Sequence, residues 1–305
     1  MSALAPPGVS VIVPHYGESA PALALVDALH GQVGAPPLQI VIVDDASPHR
    51  FPDTAAVTVI RRAENGGFGA AVNSGVAVAA HPQILVLNSD LDIEPSFVAD
   101  FLRSAAPWQP AVCGPLLVGR DGVTQWAGRR WPRTPHHVVE WLTPLARFRP
   151  RLHEAVGHDT RCVAGAELRV DWVVGAALLM PTKAFRAVGG FDERYFMNVE
   201  EVDLQRRLTA AGVPSVFLGT VTVRHEGGGS SDSAYRMRWV TQARIQYAEK
   251  WGEHPGRLRF GLRAASAVNL VFNGGRRMLG RDVNPVAAYR SQLAAIRPAT
   301  YRKAR

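Results

Sequence analysis

Short, uninterrupted runs of aliphatic and β-branched residues, each ending in a polar turn, constrain this chain more than any other feature. VSVIVP (9–14), LQIVIV (38–43), VTVI (57–60) and ILVL (84–87) are too short for helices and apolar on both faces. Helical stretches lie among them: Ser19 to about Gln32, where Leu25 and Leu29 share a face, and the small-residue run FGAAVNSGVAVAA (68–80). Such strands, separated by helices, predict an α/β fold with a mostly parallel, Rossmann-like sheet and helices on both faces. Ligands of these sheets bind beyond the carboxyl ends of the strands. That rule singles out PHYGE (14–18), DDAS (44–47), ENGGFG (64–69) and NSDLD (88–92).

The second half is less regular. Residues 119–160, rich in Arg, Trp, Pro and His, read as a long loop with one helix around 136–147. WVVGAALLMP (172–181) reads as one buried strand, and GGFDERYFMNVEEVDLQRRLTAAG (189–212) as a turn and a helix ending near Gly212. Residues 213–230 add a strand or two and a Gly/Ser loop, and the pattern is helical from 232 onward. The expected organisation is a catalytic domain over 1–230 and a helical extension over 231–305.

The 34 basic and 26 acidic residues give a net charge of +8, unevenly spread. From Arg257 onward there are eleven basic residues and one acid, Asp282, so this segment carries +10 and the remainder −2. Within it Leu258, Leu262, Ala265, Val268 and Phe272 form an apolar stripe flanked by Arg257, Arg259, Arg263, Arg276 and Arg277. A basic amphipathic helix of this kind fits an anionic membrane surface; packing on the catalytic domain and homodimer formation are the alternatives. No nucleic-acid-binding motif accompanies the charge, so no nucleic-acid partner is expected. No apolar run reaches the ~18 residues of a membrane span. MSALAPPGVS has no leader pattern, and Cys113 and Cys162 fit neither a disulfide scaffold nor a zinc site, so a cytoplasmic, reduced protein is expected.

A lone polar turn is only what a strand end needs. Two acidic turns at one rim, DDAS and NSDLD, repel each other unless a donor or cation lies between them, and a divalent metal carrying a phosphate would meet that need. GFGAAV lacks the third glycine of a dinucleotide fingerprint and does not follow the first strand, which disfavours a nicotinamide cofactor. No glycine-rich basic loop follows that strand either, which disfavours a sugar nucleotidyltransferase.

VSVIVPHY, VIVDDAS, ENGGFGAAVNSG, LVLNSD, WVVGAALLM, GGFDERYFMNVEEVDLQRR and VRHEGGGS, in that order over about 9–230, resemble glycosyltransferase family 2, inverting enzymes of GT-A fold. AGRRWP (127–132) and the tail are most similar to bacterial cell-surface rhamnosyltransferases of that family. The resemblance implies a sugar transferred from a nucleotide-sugar, dTDP-L-rhamnose by the narrower likeness, to a lipid-linked or other cell-envelope saccharide, with Mg2+ or Mn2+ as cofactor. Other UDP-, GDP- or dTDP-sugars, or a non-catalytic nucleotide-sugar-binding protein, are the alternatives. It places Pro14, Tyr16, Asp44, Asp45, Asn65, Gly67, Asn88, Ser89 and Asp90 at the nucleotide-sugar, one of Asp44 and Asp45 accepting from a pyrimidine imide N–H. Asp90 and His225 would hold the metal, with Asp92 assisting; Asn88 stands where the family often has the first Asp of Asp-x-Asp. Glu201 would be the base, in a Glu200–Glu201 pair where the family usually has Glu-Asp. Asp203 with Arg206 or Arg207 reads as structural salt bridging. The Gly/Ser run after His225 would be a closing flap. Trp126, Arg129, Arg130, Trp131, Trp141, Trp172, Gly175, Ala176 and Glu200 are assigned to the acceptor side, the aromatic rings to stack on sugars and the arginines to pair with phosphates, with core and rim packing an equal alternative for the tryptophans and arginines.

Overall fold

A computed structural model describes residues 8–225 and 233–297. The chain divides into two compact units, one of 1–130, 159–196 and 200–230, the other of 131–158, 197–199 and 231–305.

The first unit is built on a nine-stranded sheet. Its opening half follows the sequence pattern: β1 (Val9–His15), α1 (Ala20–His30), β2 (Leu38–Asp44), β3 (Val57–Arg61), α2 (Phe68–Ala77), β4 (Gln83–Leu87) and β5 (Leu91–Asp92). Then come α3 (Phe97–Ala105), β6 (Val112–Val118), a short β7 (Gly128–Arg129) and, in the second unit, α4 (Thr134–Trp141). The first unit resumes with β8 (Glu167–Val170), β9 (Trp172–Val173), β10 (Ala177–Pro181), α5 (Thr182–Ala187), α6 (Glu200–Ala210) and β11 (Ser215–His225). Strand order is β3-β2-β1-β4-β10-β6-β11-β5, with β8 also on β11. β3, β2, β1 and β4 are parallel, as are β6 and β11; β10 runs antiparallel to β4 and β6. Val11, Ile12, Ile42, Leu85 and Val86 are fully or almost fully buried, as the both-faces-covered reading requires. Gly75 lets α2 lie close on the sheet, since a Cβ there would come within 2.5 Å of Ile12.

Three parts depart from the sequence reading. Phe97–Ala105 and Val112–Val118 are a helix and a central strand to which no element was assigned. WVVGAALLMP is two strands, interrupted at Val174–Ala176, because the side chain of Gln205 on α6 takes both the N–H and C=O of Val173, each at 2.8 Å. The middle loop holds α4, a turn earlier than expected, followed by 3-10 turns over Thr143–Arg151 and Glu154–Val156.

The second unit contains α4, α7 (Ser233–Lys250), α8 (Pro255–Met278) and α9 (Pro285–Ile296). Residues 131–158 group with these helices because α4 packs along α8, where Gly261 brings it close: a Cβ there would meet Val138 at 2.7 Å. Ile245, Ala248, Leu258, Leu262 and Ile296 form its core against Trp141. Trp141 packs against this core and donates its indole N–H to Ser266 at 2.9 Å.

Burial lowers the affinity of three histidines for protons: His15, partly offset by Asp44; His136, helped by Arg133; and His137, well below 6.5, helped by Arg244 and His136. All three bind fewer protons folded than unfolded, so stability is full above pH 6.5 and falls as the pH drops through 6.5 toward their folded values. The denaturant midpoint should decline from about pH 7.5 to about pH 5. A flat or rising profile would contradict their burial as neutral rings.

Candidate active site

The polar turns meet at the strand ends of the first unit, each for a local reason. Asp44 ends β2 and faces inward. Its oxygens accept from the amides of Ser47 (2.8 Å) and Phe51 (2.9 Å) and pair with Arg61. Burial alone would raise its pKa, but these donors outweigh it and hold the carboxyl at about 2. Asp45, also buried, accepts from Gly66 (3.1 Å) and Gly67 (2.7 Å) and pairs with Arg62 at 2.7 Å. It thereby satisfies the orphan amides at the start of α2. Asn65 adds its Oδ1 to the Gly67 amide at 3.1 Å. Gly67 has φ +85°, and a Cβ on it would lie 1.8 Å from the carbonyl oxygen of Phe196. The close approach at this glycine is to the chain's own segment, and both acids are engaged by the chain's own donors. Pro14 is half-buried at the end of β1, and Tyr16 beyond it is exposed.

Beyond β4 lie half-buried Asn88, Ser89 and Asp90. The Asn88 amide donates to Ala176 O at 2.8 Å, joining this turn to the break between β9 and β10. His225, at the end of β11, presents Nε2 to Asp90 Oδ1 at 3.6 Å and to Asn88 Nδ2 at 3.3 Å. Gln125 lies on the other side of that ring, a residue the sequence reading missed. Its Nε2 donates to His225 O at 2.8 Å, which turns its Oε1 onto His225 Nδ1 at 2.7 Å. An amide oxygen only accepts, so Nδ1–H faces Gln125, and on the other side of the ring Nε2 lies within reach of the Asn88 amide N–H with the Asp90 oxygen beside it. Nothing in the local sequence marks Gln125, because its partner is a hundred residues away.

Asp92 stands apart. It pairs with Arg224 across β5 and β11 at 3.4 Å, as does Glu94 at 3.5 Å. The run 226–230, expected to form a flap, lies outside the described residues.

Glu200 and Glu201 open α6 with different surroundings. Glu200 is buried on the α2 side, its Cβ 3.7 Å from where a Cβ on Gly69 would stand. Glu201 is half-buried and lies against Gly175: a Cβ there would come within 3.3 Å of Glu201 Cβ, 3.4 Å of Cγ and 3.7 Å of Cδ. Gly175 and buried Ala176 thus form the link between Glu201 and the Asn88–Asp90 turn. Val199, a β-branched residue at φ +73°, enters this helix with strain of about 1–3 kcal/mol. Asp203 pairs with Arg207 at 2.9 Å, one turn along α6, and that guanidinium also caps Val188 O. Among the described residues no three His, Cys, Asp or Glu side chains gather as a metal cluster; Asp90 with His225 is a two-donor set.

On the expected acceptor side, Arg129 donates to Trp126 O at 2.7 Å and lies over the Trp172 ring at 5.7 Å. Arg130 and Arg161 both pair with buried Asp159, at 3.2 and 2.7 Å. These residues brace one another around β7 and β9. Trp131 belongs to the second unit.

Comparison with known proteins agrees with this geometry. The description Glycosyl transferase family 2 matches residues 10–171. The chain is 32% identical over 215 residues to the N-acetylglucosaminyl-diphospho-decaprenol L-rhamnosyltransferase of Mycobacterium tuberculosis (strain H37Rv), covering 64% of this chain and 68% of that protein. It is 24% identical over 197 residues to the rhamnosyltransferase WbbL of Escherichia coli (strain K12), covering 60% and 70%. In fold it is similar to the mannosyltransferase PcManGT from Pyrobaculum calidifontis, solved with GDP-Man and Mn2+ (TM-score 0.57, 15% identity, 95% of this chain and 85% of that one). The sheet is therefore that of the GT-A glycosyltransferases, and with more than half its length matched the chain belongs to glycosyl transferase family 2.

Proposed function

We propose that this glycosyltransferase moves L-rhamnose, with inversion, from dTDP-L-rhamnose to a hydroxyl of a lipid-linked saccharide. The observation that carries the reaction class is the Gly175–Ala176 break, which ties Glu201 to the turn bearing Asp90. An inverting transfer needs a proton acceptor on one side of the anomeric carbon and charge stabilisation on the other. Glu201 takes the acceptor's O–H proton as that oxygen bonds to the anomeric carbon. The bond from that carbon to the diphosphate breaks, its electron pair leaving with the nucleotide. The sugar and acceptor in the name of the M. tuberculosis relative, at 32% identity, support rhamnose and a polyprenyl-linked substrate. GDP- or UDP-sugars are the second reading, since structural neighbours were solved with GDP-Man or UDP.

The residues present fit a divalent cation. A carboxylate oxygen and an imidazole lone pair 3.6 Å apart are close to the ~3 Å separation of adjacent ligands in an octahedral shell, and oxygen atoms of diphosphate and water would complete it. Mn2+ or Mg2+ held there would offset the negative charge growing on the departing diphosphate. Asn88 and Gln125 orient the donors. Asp44 and Asp45 are both buried and held by the chain's own donors, so the base meets the exposed ring of Tyr16 at the end of β1 first, and either acid takes its imide N–H only by giving up a donor it now holds.

Gln125→Leu should weaken Mn2+ binding by about 10–100-fold, as losses of such orienting partners do. Gln125→Glu, which still accepts from Nδ1, should restore most of it. Titration by the Mn2+ electron paramagnetic resonance signal tests this without turnover, and equal affinity in the Leu variant would remove Gln125 from the site. The function itself is tested by a panel of nucleotide-sugars, scored by Mn2+-dependent thermal shift and then by transfer. Metal-dependent stabilisation without either hydrolysis or transfer of any donor would favour a non-catalytic binding protein.

A further inference from the structure

The second unit contains a helix whose apolar residues face the wrong way for a core. The sequence stripe on α8 places Leu258, Leu262, Ala265, Val268 and Phe272 on one face. The structure splits it: Leu258, Leu262 and Ala265 are buried, whereas Val268 and Phe272 are exposed. The inward positions beyond Ala265 are polar instead, namely Ser266, Asn269 and Asn273. They are satisfied there. Ser266 accepts from the Trp141 indole at 2.9 Å, and Asn269 bonds Thr143 N at 2.7 Å and Trp141 O at 2.9 Å.

The outward face is the apolar one. Phe260 is 74% exposed, Val271 77%, Met278 88% and Leu279, just past the last turn, 84%. At about 100° per residue, these four with Val268 and Phe272 fall within an arc of about 120°, in a stripe about 28 Å long. Arg263 and Arg276 flank it, Arg257 and Arg281 lie beyond its ends, and α8 contains no acidic residue. An exposed apolar patch of this length marks an interaction surface. The charge selects the occupant. Pairing the same face of a second copy would bring two rows of arginines together with no carboxylate on either helix to neutralise them. An anionic bilayer supplies the opposite charge at its headgroups and an apolar layer just beneath, and long arginine side chains reach the first while the stripe enters the second.

The geometry points to the Phe260–Leu279 face of α8 as an in-plane membrane-binding surface for anionic lipid. No helix among the described residues is long and apolar enough to cross a membrane, so this contact is interfacial. The inference deepens the proposal of a lipid-linked acceptor and rests on it for its purpose, but its test needs neither donor nor acceptor.

The full-length protein is mixed at low salt with phosphatidylcholine vesicles, with or without phosphatidylglycerol, and floated on a density gradient. It should float with the anionic vesicles, remain behind with the neutral ones, and be released by high salt. Val271→Asp/Met278→Asp should reduce the bound fraction about tenfold or more with little change in thermal midpoint, since both positions are exposed. Arg263→Gln/Arg276→Gln should weaken binding and flatten its salt dependence. As a direct reading, Met278→Cys can be labelled with a polarity-sensitive dye, because Cys113 and Cys162 are buried with thiol pKa values raised by burial to about 12. Its emission should shift to the blue on anionic vesicles. The proposal is overturned if the wild-type chain ignores those vesicles at low salt, or if the Asp variant binds them equally well. It is also overturned if the wild-type chain is a dimer by light scattering that Val271→Asp/Met278→Asp dissociates, because the face then belongs to a second copy.

Discussion

Glu201→Gln should lower kcat for sugar transfer by about 10²–10⁴-fold, the range associated with loss of a positioned general base. Donor affinity should hardly change, because glutamine keeps the shape of the side chain against Gly175 and removes only its capacity to take a proton. The discriminating measurement is a pair: nucleotide binding by calorimetry and single-turnover transfer. Retained binding with lost transfer fits the base assignment, whereas near-normal transfer moves the base elsewhere. Glu200→Gln is the internal control. Glu200 is buried on the α2 side, so its change should act on stability more than on the chemical step.

Asp90→Ala should have the larger effect, a loss of transfer of about 10³-fold or more, corresponding to several kcal/mol of charge stabilisation at the leaving group. Unlike the base variant, it should also lose the Mn2+-dependent part of nucleotide binding, since one of the two donors facing that position is gone. Asp92→Ala is the contrast. Asp92 pairs with Arg224 at the edge of the sheet and should leave metal-dependent binding intact. If Asp90→Ala turned over normally with added Mn2+, the leaving group would have to be stabilised by other residues.

The parallel half of the sheet was legible because every strand there is encoded in its own five or seven residues and ends in its own polar turn. β6 was not, and its sequence VCGPLLV explains why: a proline argues against a central strand. The fold accommodates it at an irregularity. Pro115 pairs with Leu218 just where the β6–β11 register jumps to Thr222, so the missing N–H coincides with a discontinuity in the ladder. Gly114, beside it, lets β9 approach: a Cβ there would come within 2.7 Å of Val173. The break in WVVGAALLMP was hidden for a different reason, since its cause is a glutamine side chain on a helix further along the chain.

The candidate site shows the same division. Asp90, His225 and Glu201 stand out in the sequence because each sits in a conspicuous motif. Gln125 has no motif at all, and its role depends on a ring delivered by β11 from a hundred residues away. The sequence treats Asp44 and Asp45 as a pair, and only the structure separates them: one closes its own turn with Ser47 and Phe51, and the other caps α2. The C-terminal stripe divides between inside and outside, because periodicity identifies apolar positions without saying which of them a helix buries.

The bare Cα of Gly175 has an implication for changing what this enzyme accepts. A single methyl group added there would crowd Cβ and Cγ of Glu201 at 3.3 and 3.4 Å, so variation at this position shifts the proposed proton acceptor before it can reshape a substrate cavity. The Trp126–Arg130 segment, held by exchangeable polar and cation–π contacts, offers far more latitude. Directed evolution toward new sugars should find its gains along that segment and find position 175 almost silent.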